Sequence, residues 1–458
     1  MAEAFRDQFV TARGVVDRLA RRSPARLAVF SFGGVVVVFT LLLLTPWATA
    51  SGQSAPLVDA LFTATSAVCV TGLTVVPTGV FWSTFGQVVI LVAIKVGGLG
   101  IMTLASILGL AVSRHLGLTQ RMLAATEVKT TRLGEVGSLI RVVIITSTSL
   151  ELLVALALFP RFLVLRQTVG EAAWHALFFG ISAFNNAGFV PTVEGLEGSV
   201  GDWALCVPLI IGTFIGSLGF PVILNIMRNR RRLDRLSLHA KLTLVVGAVL
   251  VLVGAIAFLG LEWTNPKTFG PLNVANKILA AVFQGIMPRS TGFSTVDIGD
   301  LHETSWLVTD ALMFVGGGSA STAGGIKVTT LAVMLLAIVA EARGDRDIEV
   351  FRRRIPPETI RLAIAVTFVG ATAVLVSSLL ILQITGWSLD VVVYEVISAF
   401  ATVGLSTGVT PDLPEAGKYV LVVLMFVGRT GTMTLGAALA LRSRRRVIRM
   451  PEERPIIG

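Results

Sequence analysis

A chain of 458 residues that is 54% hydrophobic and only 14% charged carries too little polar surface for a soluble domain. With a mean hydropathy of +0.81 it reads as an all-α polytopic membrane protein, with the lipid bilayer as its first partner. The formal charge of +10 does not point to nucleic acid, because the Lys and Arg residues gather between apolar runs, as membrane orientation requires.

Residues 1–26 are basic, with Phe5, Phe9, Val10, Val15 and Leu19 spaced either for a helix lying on the cytoplasmic leaflet or for an unstructured tail. Apolar runs long enough to cross about 30 Å of hydrocarbon follow. They lie at residues 27–44, 87–112, 142–159, 203–227, 242–261, 306–339, 362–384 and 419–441, giving eight spans. Ala48-Thr49-Ala50 resembles a signal-peptidase site, but it follows a basic segment and a long apolar run. Cleavage there would break the pairing of spans and is not expected. Beyond the first span, Pro46 and Ser51-Gly52 stop the helix, and Asp59 favours a new helix start. From Asp59 onward, ten residues of helix cover about 15 Å, half a bilayer. The chain therefore dips in, turns at Thr71-Gly72 and returns before Phe81.

That turn recurs. TATSAVCVTGLTV at residues 63–75 is echoed by ISAFNNAGFVPT at 181–192, GIMPRSTGFST at 285–295 and ISAFATVGLST at 397–407. Its glycines are Gly72, Gly188, Gly292 and Gly404, so successive separations are 116, 104 and 112 residues. A near-constant period of this kind marks four copies of one unit. Each unit is a span, a short re-entrant pore helix, a turn and a second span, with the later short helices expected at 171–183, at 273–287 and after Asp390. The expected fold is four such repeats around one ion pore, at 27–113, 114–228, 229–341 and 342–442, between cytoplasmic segments 1–26 and 443–458. No strand is assigned anywhere.

Arg114, Arg121, Lys129, Arg132 and Arg141 follow span two, and further basic clusters lie at 228–235, 343–354 and 442–449. The alternate loops hold little beyond Arg161, Arg166, Lys267, Lys277 and Lys418. Both termini and the basic loops are thus expected on the cytoplasmic side.

Non-helical backbone at membrane depth is tolerated only where protein buries it or where it lines a water-filled path. Four such turns imply a pore. If they meet on one axis, their carbonyls stack into rings that can replace the hydration shell of a cation. Glycine serves there because it takes positive φ without a Cβ clash. The short helices end at the turns, so their C-terminal partial negative charge also favours a cation.

The V-T-G-L, N-A-G-F, S-T-G-F and T-V-G-L turns, with SAVCVTGL and MPRSTGFSTVD around two of them, resemble the membrane subunit of the Ktr/Trk/HKT potassium-transporter superfamily. The resemblance covers nearly the whole chain. No extra helix pair precedes repeat one, which makes it more similar to the Ktr-type than to the Trk-type subunit. What the resemblance implies is K⁺ uptake across a bacterial plasma membrane by a homodimer with one pore per protomer. It further implies a cytoplasmic ring of KtrA-like regulator subunits binding NAD or ATP/ADP, with Na⁺ as a candidate activator and no covalently bound cofactor. The implied K⁺ sites are the carbonyls of Val70, Thr71 and Gly72, of Asn186, Ala187 and Gly188, of Ser290, Thr291 and Gly292, and of Thr402, Val403 and Gly404. One glycine per turn, against two in the TVGYG filter of tetrameric K⁺ channels, suggests fewer sites and weaker selectivity against Na⁺.

GGGSASTAGGIKVTT at 316–330 is too rich in glycine and hydroxyls to remain an ordinary span helix. It reads as a kinked packing helix or as a loop under the filter, the second resembling the family's intramembrane gating loop. In the loop reading the glycines Gly316, Gly317, Gly318, Gly324 and Gly325 let the backbone move, and Ser319, Ser321 and Thr322 hold a closed arrangement. Lys327 tethers its cytoplasmic end, and Arg429 in FVGRTG reaches its carbonyls from the matching depth of repeat four. Gly97-Gly98-Leu99-Gly100 and Gly216-Ser217-Leu218-Gly219 read first as close helix packing. Arg289 reads as a brace behind the third turn. Lys95 and Glu151 lie mid-span, where charges are expensive; they read as a candidate pair, with Lys95 facing protein rather than the pore. Cys69, Cys206 and the four His residues show no ligand spacing, and no set of nucleophiles or paired carboxylates supports an enzyme. A carrier built on inverted repeats would alternate their orientation, which these turns do not. Transport of Na⁺ or ammonium stays open as the alternative.

Overall fold

Proline, glycine and hydroxyl-rich stretches cut the apolar sequence into helices of two lengths, and the order long, short, long recurs four times. The computed structural model describes residues 24–115, 136–165, 168–193 and 195–441. The expectations for residues 1–23, for Arg121, Lys129, Arg132 and Arg166, and for the tail 443–458 lie outside the described residues.

The first repeat holds α1 (Pro24–Leu43), the short α2 (Leu57–Val68) and α3 (Thr84–His115). The second holds α4 (Val136–Leu165), the short α5 (Val169–Asn185), and a span in two pieces, α6 (Trp203–Leu218) and α7 (Phe220–Asn229). In the third, α8 (Leu238–Glu262) and the short α9 (Val274–Ile286) precede another divided span, α10 (Glu303–Phe314) and α11 (Val328–Arg343). The fourth comprises α12 (Pro357–Thr385), the short α13 (Leu389–Phe400) and α14 (Glu415–Leu441). Side chains cap two of the short helices: at α5 Thr168 Oγ1 accepts from Glu171 N at 3.3 Å, and at α9 Asn273 Oδ1 from Asn276 N at 2.9 Å.

The repeats pack in a ring. The short helices α2, α5 and α13 lie against both spans of their own repeats, and α9 against the first span of its own. The second span of each repeat also packs on the next short helix: α3 on α5, α6 on α9, α10 on α13, and α14 back on α2. Lys418 at the start of α14 pairs with Asp59 at the start of α2 at 2.9 Å, closing the ring between the last repeat and the first. Outer faces stay apolar, with Val245, Val249, Leu252 and Ile256 of α8 and Ile364, Phe368, Leu375 and Leu379 of α12 exposed. Such surface suits hydrocarbon rather than water, and the chain is a multi-pass membrane protein.

Two departures from the sequence reading have local causes. The fourth span bends by 98° at Gly219, where packing without a break was the first reading. Gly219 has φ +90°, a Cβ there would meet the Ser319 carbonyl, and Pro221 opens the new helix. The second departure is a small hairpin where no strand was assigned, β1 (Ile348–Val350) with β2 (Arg353–Ile355), pairing Ile348 with Ile355. Phe351 and Arg352 form its two-residue turn with φ +50° and +61°, so the usual Asn-Gly signal is missing from the sequence.

Candidate functional site

Each short helix ends where its turn begins, and the turn glycines all take positive φ: +92° at Gly72, +71° at Gly188, +67° at Gly292 and +96° at Gly404. Their surroundings form a cycle. A Cβ on Gly72 would strike the carbonyl oxygen of Ala187, one on Gly188 that of Thr291, one on Gly292 that of Val403, and one on Gly404 that of Thr71. Every glycine thus abuts the carbonyl that precedes the next turn's glycine, and the fourth turn closes on the first. A ring of backbone oxygens with helix C-termini behind it is suited to hold a dehydrated cation.

The turns are alike in three repeats and different in the third. Val70, Asn186 and Thr402 occupy the left-handed region at φ +56°, +59° and +49°, whereas Ser290 is extended at −175°. For β-branched Val70 and Thr402 that conformation is costly and persists only because the surroundings fix it. In repeats one, two and four the N–H before the glycine donates to a serine carbonyl: Thr71 to Ser66 at 2.7 Å, Ala187 to Ser182 at 2.8 Å, Val403 to Ser398 at 2.9 Å. Ser66 Oγ and Ser398 Oγ each also accept from the glycine N–H at 3.1 Å, while Ser182 Oγ donates to the Phe189 carbonyl at 3.0 Å. In repeat three Ile286 stands at the serine's place, and a 3-10 turn, Met287–Arg289 with Pro288, takes over. Thr291 N then donates to Met287 O at 3.0 Å. These serines escaped the sequence reading, although Ser-Ala recurs six residues before the glycine in three copies. So did Glu395 of α13. Its carboxylate accepts from Ser406 Oγ at 2.8 Å, Thr407 N at 2.8 Å and Thr410 Oγ1 at 2.6 Å, holding the strand of chain that leaves the fourth turn. A lone carboxylate in YEVISAF was the available signal.

Segment 316–325 leaves helical geometry between α10 and α11, and its contacts reach two opposite members of the ring. Thr322 Oγ1 bonds to Gly216 O at 3.1 Å and Phe184 O at 3.3 Å, and lies 3.0 Å from the Asn186 amide of turn two. Gly324 packs against the Ala401 carbonyl and the Thr402 hydroxyl of turn four. Turns two and four are not neighbours in the cycle, so the loop bridges opposite members of the ring. Arg429 Nη1 donates to the Thr322 carbonyl, and Lys327 Nζ to Ala323 O at 2.6 Å and Gly324 O at 3.2 Å. Ser321 Oγ bonds to Gly318 O at 2.6 Å, and Ser319 Oγ lies 2.9 Å from Thr329 Oγ1. Of the loop glycines only Gly325 has positive φ; Gly316, Gly317, Gly318 and Gly324 are needed for close approach, because a Cβ on each would strike neighbouring atoms. Their absent side chains therefore serve packing.

The other charges in this region bond to neighbouring helices. Lys95 Nζ meets Glu151 Oε2 at 2.5 Å and Thr148 Oγ1 at 3.1 Å, so it faces α4. Glu151 Oε1 accepts from Asn185 Nδ2 at 2.8 Å, and Asn185 is the last residue of α5 before turn two. Gly98 leaves room for that asparagine, since a Cβ would strike its Oδ1. Gly97, Gly216 and Gly428 play the same part in three repeats, abutting the carbonyls of Val68, Phe184 and Phe400 at the ends of the short helices. Arg289 reaches away from the turns, donating to Gly247 O on α8 at 2.9 Å. Among the described residues no group of His, Cys, Asp and Glu is placed to hold a metal ion.

Comparison with known proteins gives this geometry a setting. The profile of the family described as TrkH, cation transport protein, matches residues 31–445. The Ktr system potassium uptake protein B of Bacillus subtilis is 37% identical over 451 residues, covering 97% of this chain and 98% of that protein. Its namesake from Vibrio alginolyticus is also 37% identical, over 99% of both chains. A potassium/sodium uptake protein, NtpJ, of Enterococcus hirae is 31% identical over 96% of this chain and 98% of its own length. These relatives are named for transport, which sets the chain among transporters rather than enzymes. The crystal structure of the potassium transporter TrkH from Vibrio parahaemolyticus shares the fold, with a TM-score of 0.69 at 19% identity over 88% of this chain and 83% of that one.

Proposed function

Because this chain belongs to the TrkH cation transport protein family, among the Ktr/Trk potassium-uptake transporters, we propose that it carries K⁺ through the ring formed by its four turns. The observation that supports this most is the closed cycle in which each turn glycine abuts the next turn's carbonyl, ending with Gly404 on Thr71. In this reading K⁺ leaves its hydration shell for the carbonyls at 70–72, 186–188, 290–292 and 402–404, one set from each of the repeats at 27–113, 114–228, 229–341 and 342–442. Glycine at the narrowest point keeps the wall to bare backbone, so oxygen rather than a methyl group faces the ion.

The loop at 316–325 is the gate. Its contacts to opposite turns support an obstruction across the path, and Arg429 adds a positive charge against an entering cation while holding the Thr322 carbonyl. Its hydroxyl bonds contribute about 1 kcal/mol each, weak enough for a moving partner to break. The relatives named as part of a Ktr system support a partnered assembly; in this reading it is a homodimer resting on a cytoplasmic ring that binds NAD or ATP/ADP. The basic loops support a bacterial plasma-membrane protein with both termini cytoplasmic. Na⁺ takes part as an activating ion, a reading favoured by similarity to the potassium/sodium uptake protein.

The test is Rb⁺ uptake in cells lacking their own K⁺ uptake, with Na⁺ as competitor. Restored Rb⁺ uptake that excess K⁺ suppresses and Na⁺ does not is the expected result; uptake suppressed equally by Na⁺ would remove K⁺ preference from the proposal.

A further inference from the structure

A cavity of about 420 Å³ opens beside the loop, within the size range of small-molecule sites, and none of the four turns lines it. Its charge is one-sided. Arg429 and Lys327 line it, and no Asp or Glu does among the described residues. Arg429 is 3% exposed and spends Nη1 on the Thr322 carbonyl, while its Nε and Nη2 have no partner among the described residues. Lys327 lines the same cavity, its Nζ donating to the Ala323 and Gly324 carbonyls. Three helix starts add to the same sign, because first-turn residues of α8 (Leu238, His239), α11 (Thr329, Thr330) and α12 (Thr359) all line the cavity. A buried cation with free N–H groups is expensive unless an anion or acceptor meets it.

The rest of the lining is hydrocarbon, including Leu242, Val333 and Val366. Helices α8 and α12, which supply much of it, also expose Val245, Ile364 and Phe368 on their outer faces, so the apolar lining and the lipid-facing surface share the same helices. We infer that this cavity binds an amphipathic anion, its oxyanion on the free N–H groups of Arg429 with Lys327 beside it, and its hydrocarbon chain along Leu242, Val333 and Val366. A free fatty acid and an anionic phospholipid share that chemistry. Bound there, the anion offsets the positive charge that Arg429 sets against an entering cation; that consequence, unlike the binding itself, rests on the gate reading above.

The test uses the full chain in nanodiscs of phosphatidylcholine, titrated with radiolabelled oleate. Saturable binding of one oleate per chain is expected, with affinity lowered about tenfold or more by Arg429→Gln, the loss of one charge-assisted contact. Val366→Trp, which fills the apolar end and leaves the loop contacts alone, should lower it as well. Displacement of oleate by phosphatidylglycerol names the lipid as a source; failure to displace names the free acid. Absence of saturable binding, equal competition by oleyl alcohol or by inorganic phosphate, or unchanged affinity in both variants overturns the proposal. Binding is read without any ion flux, so its failure is distinct from failure of the transport reading.

Discussion

Gly404 lies so close to the carbonyl oxygen of Thr71 that no side chain fits between them, and this contact joins the last repeat to the first. The same relationship holds at the other three junctions, so a single added methyl disturbs a ring rather than one turn.

Gly292→Ser is expected to lower K⁺ flux about tenfold and to reduce the K⁺/Na⁺ ratio. Positive φ costs an L-residue roughly 1–2 kcal/mol, and the new Cβ also meets the Val403 carbonyl. Rb⁺ uptake with Na⁺ competition in a well-expressed variant checks this; an unchanged rate and ratio would sink it.

Ser398→Ala removes the hydroxyl that accepts from Gly404 N at 3.1 Å, at a cost of about 1 kcal/mol. The variant should assemble normally and discriminate less against Na⁺. Because Ile286 stands at this place in repeat three, Ile286→Ala should leave selectivity nearly untouched, and equal losses in the two variants would argue against the serine brace.

Arg429→Ala, or deletion of several residues within 316–325, should raise K⁺ flux severalfold and loosen its dependence on a regulator, with ion preference kept. Thr322→Ala should do the same to a smaller degree, since it removes the hydroxyl bonded to Gly216 O. Liposome flux measurements that find loop-deleted, folded protein no faster than wild type would move the gate elsewhere.

Glu151→Gln strips Lys95 of its counter-charge and weakens the acceptor for Asn185. Breaking a buried pair this way costs about 3–5 kcal/mol, and the lower end applies because Lys95 is 22% exposed. Thermal unfolding of the purified protein should show a clear loss of stability, most of it recovered by Lys95→Met combined with Glu151→Leu. A double variant as unstable as the single one would contradict the pairing argument.

A regulator from another polypeptide should co-purify from the native host and confer nucleotide-dependent flux. Full nucleotide response from the membrane chain alone would contradict that expectation.

Hydropathy, recurrence and glycine placement are properties of a one-dimensional string. They were enough for the membrane class, the alternation of long and short helices, the four turns and the break near Gly316. Lys95 was legible as a charge that had to face protein and Glu151 as its candidate partner, but the pairing itself was not, because the two lie on different helices and only packing brings them to 2.5 Å. The bend at Gly219 was hidden for a related reason. A glycine in an apolar run reads alike whether it lets a helix pack or lets a loop enter, and the Ser319 carbonyl beside it belongs to the next repeat. The three-residue strands, with Phe351 and Arg352 at the turn, left no local pattern strong enough to read. Sequence by itself thus determined what each repeat is. The tertiary structure alone decided their cyclic order, the bridging of turns two and four by the loop, and the N–H groups of Arg429 left unmatched among the described residues, since each depends on distances between segments a hundred or more residues apart.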